Sequence, residues 1–174
     1  MRRLLIAICV FGFYTATAGP ALAQGHSRGT AEVTVGSAKV SVEYGRPSLG
    51  TRTVEAMLSG LSPDHPWRLG ADKSTTFSTS GDLDFGGTTV PKGVYSLWAR
   101  RDADNSWKLV FNSQHGQWGT DHDASKDLVA VPLKEDKEST PTDLVTIKLE
   151  REDGGGEITI LWGDLELSAH FTAK

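Results

Sequence analysis

The chain has 174 residues, with 18 Lys plus Arg against 22 Asp plus Glu, and carries a formal net charge of −4. That balance lacks the basic excess of a nucleic-acid-binding surface, and 38% hydrophobic with 23% charged residues is too apolar and too mixed in sign for a disordered chain. One soluble globular domain is the expectation.

Met1-Arg2-Arg3 precedes an apolar run over 4–14, then small residues and Ala21-Leu22-Ala23. These are the n-region, h-region and cleavage site of a secretory signal peptide, predicted over 1–23 with cleavage after Ala23. A membrane anchor is the rival reading, but the run stops at Thr15 and is broken by Gly19-Pro20, short of the roughly 20 residues a spanning helix needs. No membrane span is expected after cleavage. The single cysteine, Cys9, lies inside the apolar run, so lipid attachment is not expected, and the mature chain is cysteine-free. Disulfides, thiolate nucleophiles and Cys-ligated metals are thereby excluded, although an exported compartment would allow disulfides. The predicted location is periplasmic or secreted.

Residues 24–30 read as a short polar leader, followed by a single β domain over 31–174. From Ala31 the dominant period is two: Ala31, Val33 and Val35, then Val40, Val42 and Tyr44, alternate with polar residues around Gly36-Ser37, which predicts a β-hairpin. Further strands are predicted over 75–79, 83–85, 94–99, 107–111, 144–150, 157–161 and 165–171, with turns at Gly81-Asp82, Gly86-Gly87, 102–105, 153–156 and Gly163-Asp164. Helical signals are confined to single turns at 54–59 and 125–129, the second capped by Asp123. The charged stretch 134–139, closed by Pro141, reads as a solvated loop. Short strands without long helical crossovers predict a mainly β fold, an antiparallel β-sandwich or jelly-roll-like barrel with one or two short helices.

Three loops carry side chains that a plain turn does not need. The first, over 45–52, holds Arg46 and Arg52, a pair suited to clamping a carboxylate, phosphate or sulfated group; the alternative is that they pair with some of the 22 acids. The second, over 66–72, sets Trp67 beside Arg68 with Asp72 following, a flat apolar face next to a planar donor that suits sugars, aromatic ligands or a polar peptide. The alternative there is a Trp plugging one end of the sandwich, with Arg68 and Asp72 tying the loop to itself. The third, over 112–123, runs from Asn112 through Gln117-Trp118-Gly119 to His122. Asp121, Asp123, Ser125 and Asp127 alternate like the start of a calcium loop, but Lys126 stands where Gly is needed and Pro132 where a bidentate Glu is needed. His115 and His122 have no recognised ligand spacing. Neither a metal nor a cofactor is expected. G-x-S-x-G, H-E-x-x-H, P-loop and G-x-G-x-x-G signatures are missing.

Taken in order, Tyr44-Gly45-Arg46-Pro47-Ser48 with Arg52, Trp67-Arg68-Leu69-Gly70-Ala71-Asp72, Thr75-Thr76-Phe77, Pro91-Lys92-Gly93-Val94-Tyr95-Ser96-Leu97, and Phe111-Asn112 followed by Gln117-Trp118-Gly119 resemble the motifs of the secreted bacterial family catalogued as domain of unknown function 2911. The likeness runs from about Ala31 to the end of the chain. That family usually has W-R-T-G-A-N, so Leu69 stands for Thr and Asp72 for Asn, and it tends to an aromatic at the place of His122. The resemblance implies an exported, mostly β domain of bacterial type, and brings no activity, cofactor or catalytic residue with it.

The leading expectation is a non-catalytic cell-envelope domain that binds a polar small molecule, glycan or peptide in a loop-lined cleft. Arg46, Arg52 and Arg68 would be donors, Trp67 and Trp118 stacking faces, and Asp72, Tyr95 and Asn112 orienting groups. Two readings stay open beside it: a hydrolase or lyase with carboxylate acid–base chemistry through Asp72, and a structural or partner-docking module in which the motif residues brace the sandwich. Convergence of the eight residues in space is what separates them.

Overall fold

The alternation around Gly36-Ser37 builds the first hairpin. In the computed structural model, which describes residues 25–174, β1 (Arg28–Val35) pairs antiparallel with β2 (Ala38–Gly45), in register from Arg28↔Gly45 to Val35↔Ala38. Val40, Val42 and Tyr44 turn inward while Lys39 and Glu43 face solvent. The signal-peptide expectation over 1–23 lies outside the described residues.

A single helical turn, α1 (Val54–Leu58), starts where Thr53 Oγ1 accepts the Ala56 N–H at 3.2 Å, and it buries Val54 and Leu58. Next come β3 (Thr76–Thr79), β4 (Leu83–Phe85), β5 (Thr88–Val90), β6 (Gly93–Arg101) and β7 (Trp107–Asn112). Of these, β5 was not expected: Thr88-Thr89-Val90 has no apolar–polar alternation of its own and is ordered by pairing with β4. A short 3₁₀ turn, Ala124–Lys126, is capped by the Asp123 side chain accepting from Ser125 N. The chain then extends at once, so the helical turn expected over 125–129 covers only its first part.

Two long strands finish the fold: β8 (Asp127–Glu152) and β9 (Gly155–Ala173). They correct two expectations. Residues 134–139 are strand and not a solvated loop, since Lys134↔Ser168 through Lys137↔Leu165 are laddered across to β9. Backbone pairing holds this stretch while its side chains stay in water, so composition pointed the wrong way. Gly163-Asp164 does not divide two strands either. It is an irregularity inside β9, opposite the break in β8 pairing between Lys137 and Thr146.

The strands form one antiparallel sheet in the order β1-β2-β3-β6-β7-β8-β9-β4-β5. It is open, with β1 and β5 at its edges, and not closed into a barrel. β8 pairs with β7 through its first residues and with β9 thereafter, and this carries the chain from one half of the sheet to the other. The halves pack face to face. Phe111 of β7 meets Phe77 of β3 at 5.3 Å and Phe85 of β4 at 5.5 Å between ring centroids, and Phe85 meets Phe171 of β9 at 5.3 Å. Among the described residues no helix is long and apolar enough to cross a membrane.

Candidate functional site

The three unusual loops are fastened to one another and to the sheet at one end of the molecule. The first is zipped to β8 at the stretch released from β9: Leu49 N donates to Asp143 O at 2.8 Å and Val145 N to Pro47 O at 3.1 Å. Asp143 adds side-chain anchors, its Oδ2 accepting from Ser48 Oγ at 2.7 Å and its Oδ1 from Gly50 N at 2.9 Å. In the second loop, Trp67 and Ala99 of β6 exchange two backbone hydrogen bonds of 2.7 and 2.8 Å. The third is held to the second by Gly119 N on Asp72 O at 2.7 Å and Ser74 N on Gln117 O at 3.0 Å.

Glycine permits this closeness. A Cβ on Gly45 would lie 2.1 Å from Ala71 O, and one on Gly119 would lie 2.7 Å from Asp72 O, both inside contact distance. The second loop also needs left-handed backbone at Leu69 (φ 55) and Asp72 (φ 62). Asp and Asn tolerate that conformation, whereas a buried Leu holds it at a cost.

Between the loops lies a cleft of about 610 Å³. Trp67, Trp98 and Trp162 form its floor, with Met57 and Leu58 of α1 on one side. Trp67 and Trp162 stack at 5.5 Å and 17° between planes, and the His122 ring lies 4.5 Å from Trp98. Arg52 and Arg68 reach the cleft from different loops, joined by His26, His65 and His122, against one carboxylate, Asp64.

The arginines are held by carbonyls. Arg52 donates from Nε to Leu49 O at 3.0 Å and from Nη2 to Ser48 O at 2.6 Å, and Arg68 from Nε to Gly70 O at 3.1 Å. Among the described residues neither lies within 4.0 Å of a carboxylate, so the ion pairing weighed for Arg52 does not occur, whereas Arg68 ties its own loop and Trp67 is buried, as the alternative for the second loop has it. A carbonyl fixes a guanidinium without cancelling its charge. The Arg68 charge is nevertheless felt by Asp72 and the Arg52 charge by Asp143. No three His, Asp or Glu side chains among the described residues converge as metal ligands.

The sequence matches the profile of a family described as protein of unknown function, DUF2911, over residues 26–171. The chain belongs to the DUF2911 family. No curated protein and no solved structure matches it.

Among the DUF2911 motifs, those over 44–52, 67–72 and 117–119 contribute residues to the cleft, whereas those over 75–77 and 91–97, at β3 and β6, contribute none. Of the eight residues singled out, Arg52, Trp67 and Arg68 line it. Asp72 stands behind it, its Oδ2 accepting the N–H of His26 at 2.7 Å and its Oδ1 lying 3.4 Å from His26 Nδ1. The His26 backbone N–H holds the Asp72 carboxyl below its usual range, partly opposed by desolvation and aided by the His26 ring and the Arg68 charge. Asn112 is wholly buried and reaches the cleft through Asp127 and His122. Trp118, 54% exposed, sits on the rim beside Gly119. Arg46 braces the first loop through Val145 O and Thr146 Oγ1, at 3.2 and 3.0 Å. Tyr95 stands apart: it is buried, its hydroxyl donates to Pro91 O at 2.7 Å, and desolvation raises its pKa.

Trp98 fell within the strand predicted over 94–99, Trp162 between those predicted over 157–161 and 165–171, and His65 outside the DUF2911 motifs, so none of the three was singled out. His122 was weighed only as a metal ligand and His26 only as part of the leader.

Proposed function

We propose that this protein is an exported binding domain of the cell envelope, periplasmic or secreted, that holds a polar small molecule, glycan or peptide in the cleft between the three motif loops. The reading rests on one observation: Arg52 and Arg68 come from separate loops into one cleft with an indole floor, each held by backbone carbonyls and, among the described residues, with no carboxylate within 4.0 Å. Arg52 is exposed and Arg68 half-buried, so both stay open to a ligand, and a few polar groups over an apolar floor are the usual make-up of a small-molecule cleft. Export is supported by the n-region, h-region and cleavage pattern of the first 23 residues. Binding is favoured over acid–base catalysis through Asp72 because a carboxyl held below its usual range is a poor proton donor near neutral pH.

In this reading Arg52 and Arg68 donate to the ligand, Trp67 with Trp98 and Trp162 supplies the apolar floor, and Trp118 borders the entrance. Asp72 and Asn112 orient cleft histidines, while Arg46 and Tyr95 hold the frame.

The test is thermal unfolding and tryptophan fluorescence of the mature chain against a panel of envelope glycans, peptides and organic acids. A true ligand at a hundredfold excess over its Kd should raise Tm by about 5–10 °C. Arg52→Ala and Arg68→Ala, folded by circular dichroism, should each weaken it about 10–100-fold, the worth of a charged hydrogen bond. A panel without any shift, or a ligand indifferent to both substitutions, would overturn the reading.

A further inference from the structure

Hydrogen-bond logic fixes what one wall of the cleft offers. Asn112 is buried in β7, and its Oδ1 accepts the Gln114 N–H at 2.9 Å. Its Nδ2 is therefore the atom that donates to Asp123 O at 2.8 Å and Asp127 Oδ1 at 2.7 Å. The same Asp127 Oδ1 lies 2.9 Å from His122 Nε2. A carboxylate oxygen accepts, so the proton of a neutral His122 ring sits on Nε2, and Nδ1 keeps its lone pair.

That lone pair is free for a ligand. Among the described residues nothing donates to His122 Nδ1, and His122 lines the cleft. The ring cannot turn away easily, being held on Asp127 and packed against Trp98. With the ring neutral, the cleft presents one fixed acceptor beside two cationic donors, above an apolar floor.

Few ligand classes match all three. A simple carboxylate offers the arginines an acceptor but His122 no donor. A neutral sugar offers hydroxyls and an apolar C–H face but leaves both arginine charges unanswered. A hydroxylated carboxylate supplies every part: the carboxylate for Arg52 and Arg68, a hydroxyl for His122 Nδ1, and ring C–H groups for the indoles. We propose that the ligand is a carboxylate-bearing sugar of the uronic acid type, with one hydroxyl read by His122. This names the ligand class of the binding reading above and rests on it.

The experiment is isothermal titration of the mature chain with glucuronate, galacturonate and a galacturonate oligomer, against glucose and cyclohexanecarboxylate. One of the uronates is expected to bind at least 10-fold tighter than both comparison compounds. His122→Phe keeps a ring on Trp98 and removes the acceptor; it should weaken the uronate about 10-fold and leave cyclohexanecarboxylate unchanged. His122→Leu is the second variant, and unfolding curves establish that each is folded. Equal affinity for cyclohexanecarboxylate, or a uronate unaffected by both substitutions, would overturn the role of His122. Glucose binding as tightly as the uronates would overturn the carboxylate requirement. Either result leaves the cleft a binding site, whereas silence of the whole wider panel as well would remove both readings.

Discussion

Asp143 secures the first loop as Asp72 secures the segment at His26, each by accepting a backbone N–H and a side-chain group on one carboxylate. The Ser48 hydroxyl and then the Gly50 N–H hold the Asp143 carboxyl below its usual range, with the nearby Arg52 charge adding to the effect. A depressed carboxyl contributes stability that is present above its unfolded pKa, about 3.9, and is lost as pH falls through the folded value. Unfolding monitored from pH 7 down to pH 2 should therefore show Asp143→Asn less stable than the parent at neutral pH, with the gap closing below about pH 4. A gap independent of pH would mean that the charge of Asp143 adds nothing, and no gap at all that the loop is held by its backbone bonds alone. Neither Asp143 nor its role was legible in the sequence, because its partners lie 93 and 95 residues away. Asp72 was legible as a motif residue, but its grip on His26 was not, since the leader offers no pattern.

At the scale of elements, local signals did well where they were sufficient. Alternation located the first hairpin, and Thr53 and Asp123 cap the two short helical turns. They failed on β8 and β9, whose course depends on partner strands. Gly163 shows the physics: its φ is +57, and a Cβ there would lie 2.5 Å from Val54 Cγ2 of α1. Read locally it is a turn; in the fold it is where β9 accommodates the helix that walls the cleft. Gly163→Ala should destabilise the protein by about 1–3 kcal/mol in urea unfolding, from left-handed strain plus the clash. A change below about 0.5 kcal/mol would show that α1 yields freely.

At the scale of the molecule, the fold depends on the contact between the halves of one bent sheet. Phe111 is central to it, fully buried and touching aromatic rings of β3, β4 and β6. Phe111→Ala should cost about 3–5 kcal/mol by chemical denaturation, as a large buried ring replaced by a cavity does. A loss under about 1 kcal/mol would imply that the halves are stabilised independently. By itself the sequence determined the mainly β class, the first hairpin, the short helical turns and the loops worth attention, because period-two patterning, capping and turn chemistry act over a few residues. Only the tertiary structure decided that the sheet is open and continuous and that 134–139 is strand. Only it brought Arg52, Trp67 and Arg68 into one cleft with Trp98, His122 and Trp162. Those outcomes follow from backbone ladders and side-chain contacts between residues far apart in the chain, which leave no local trace in the order of amino acids.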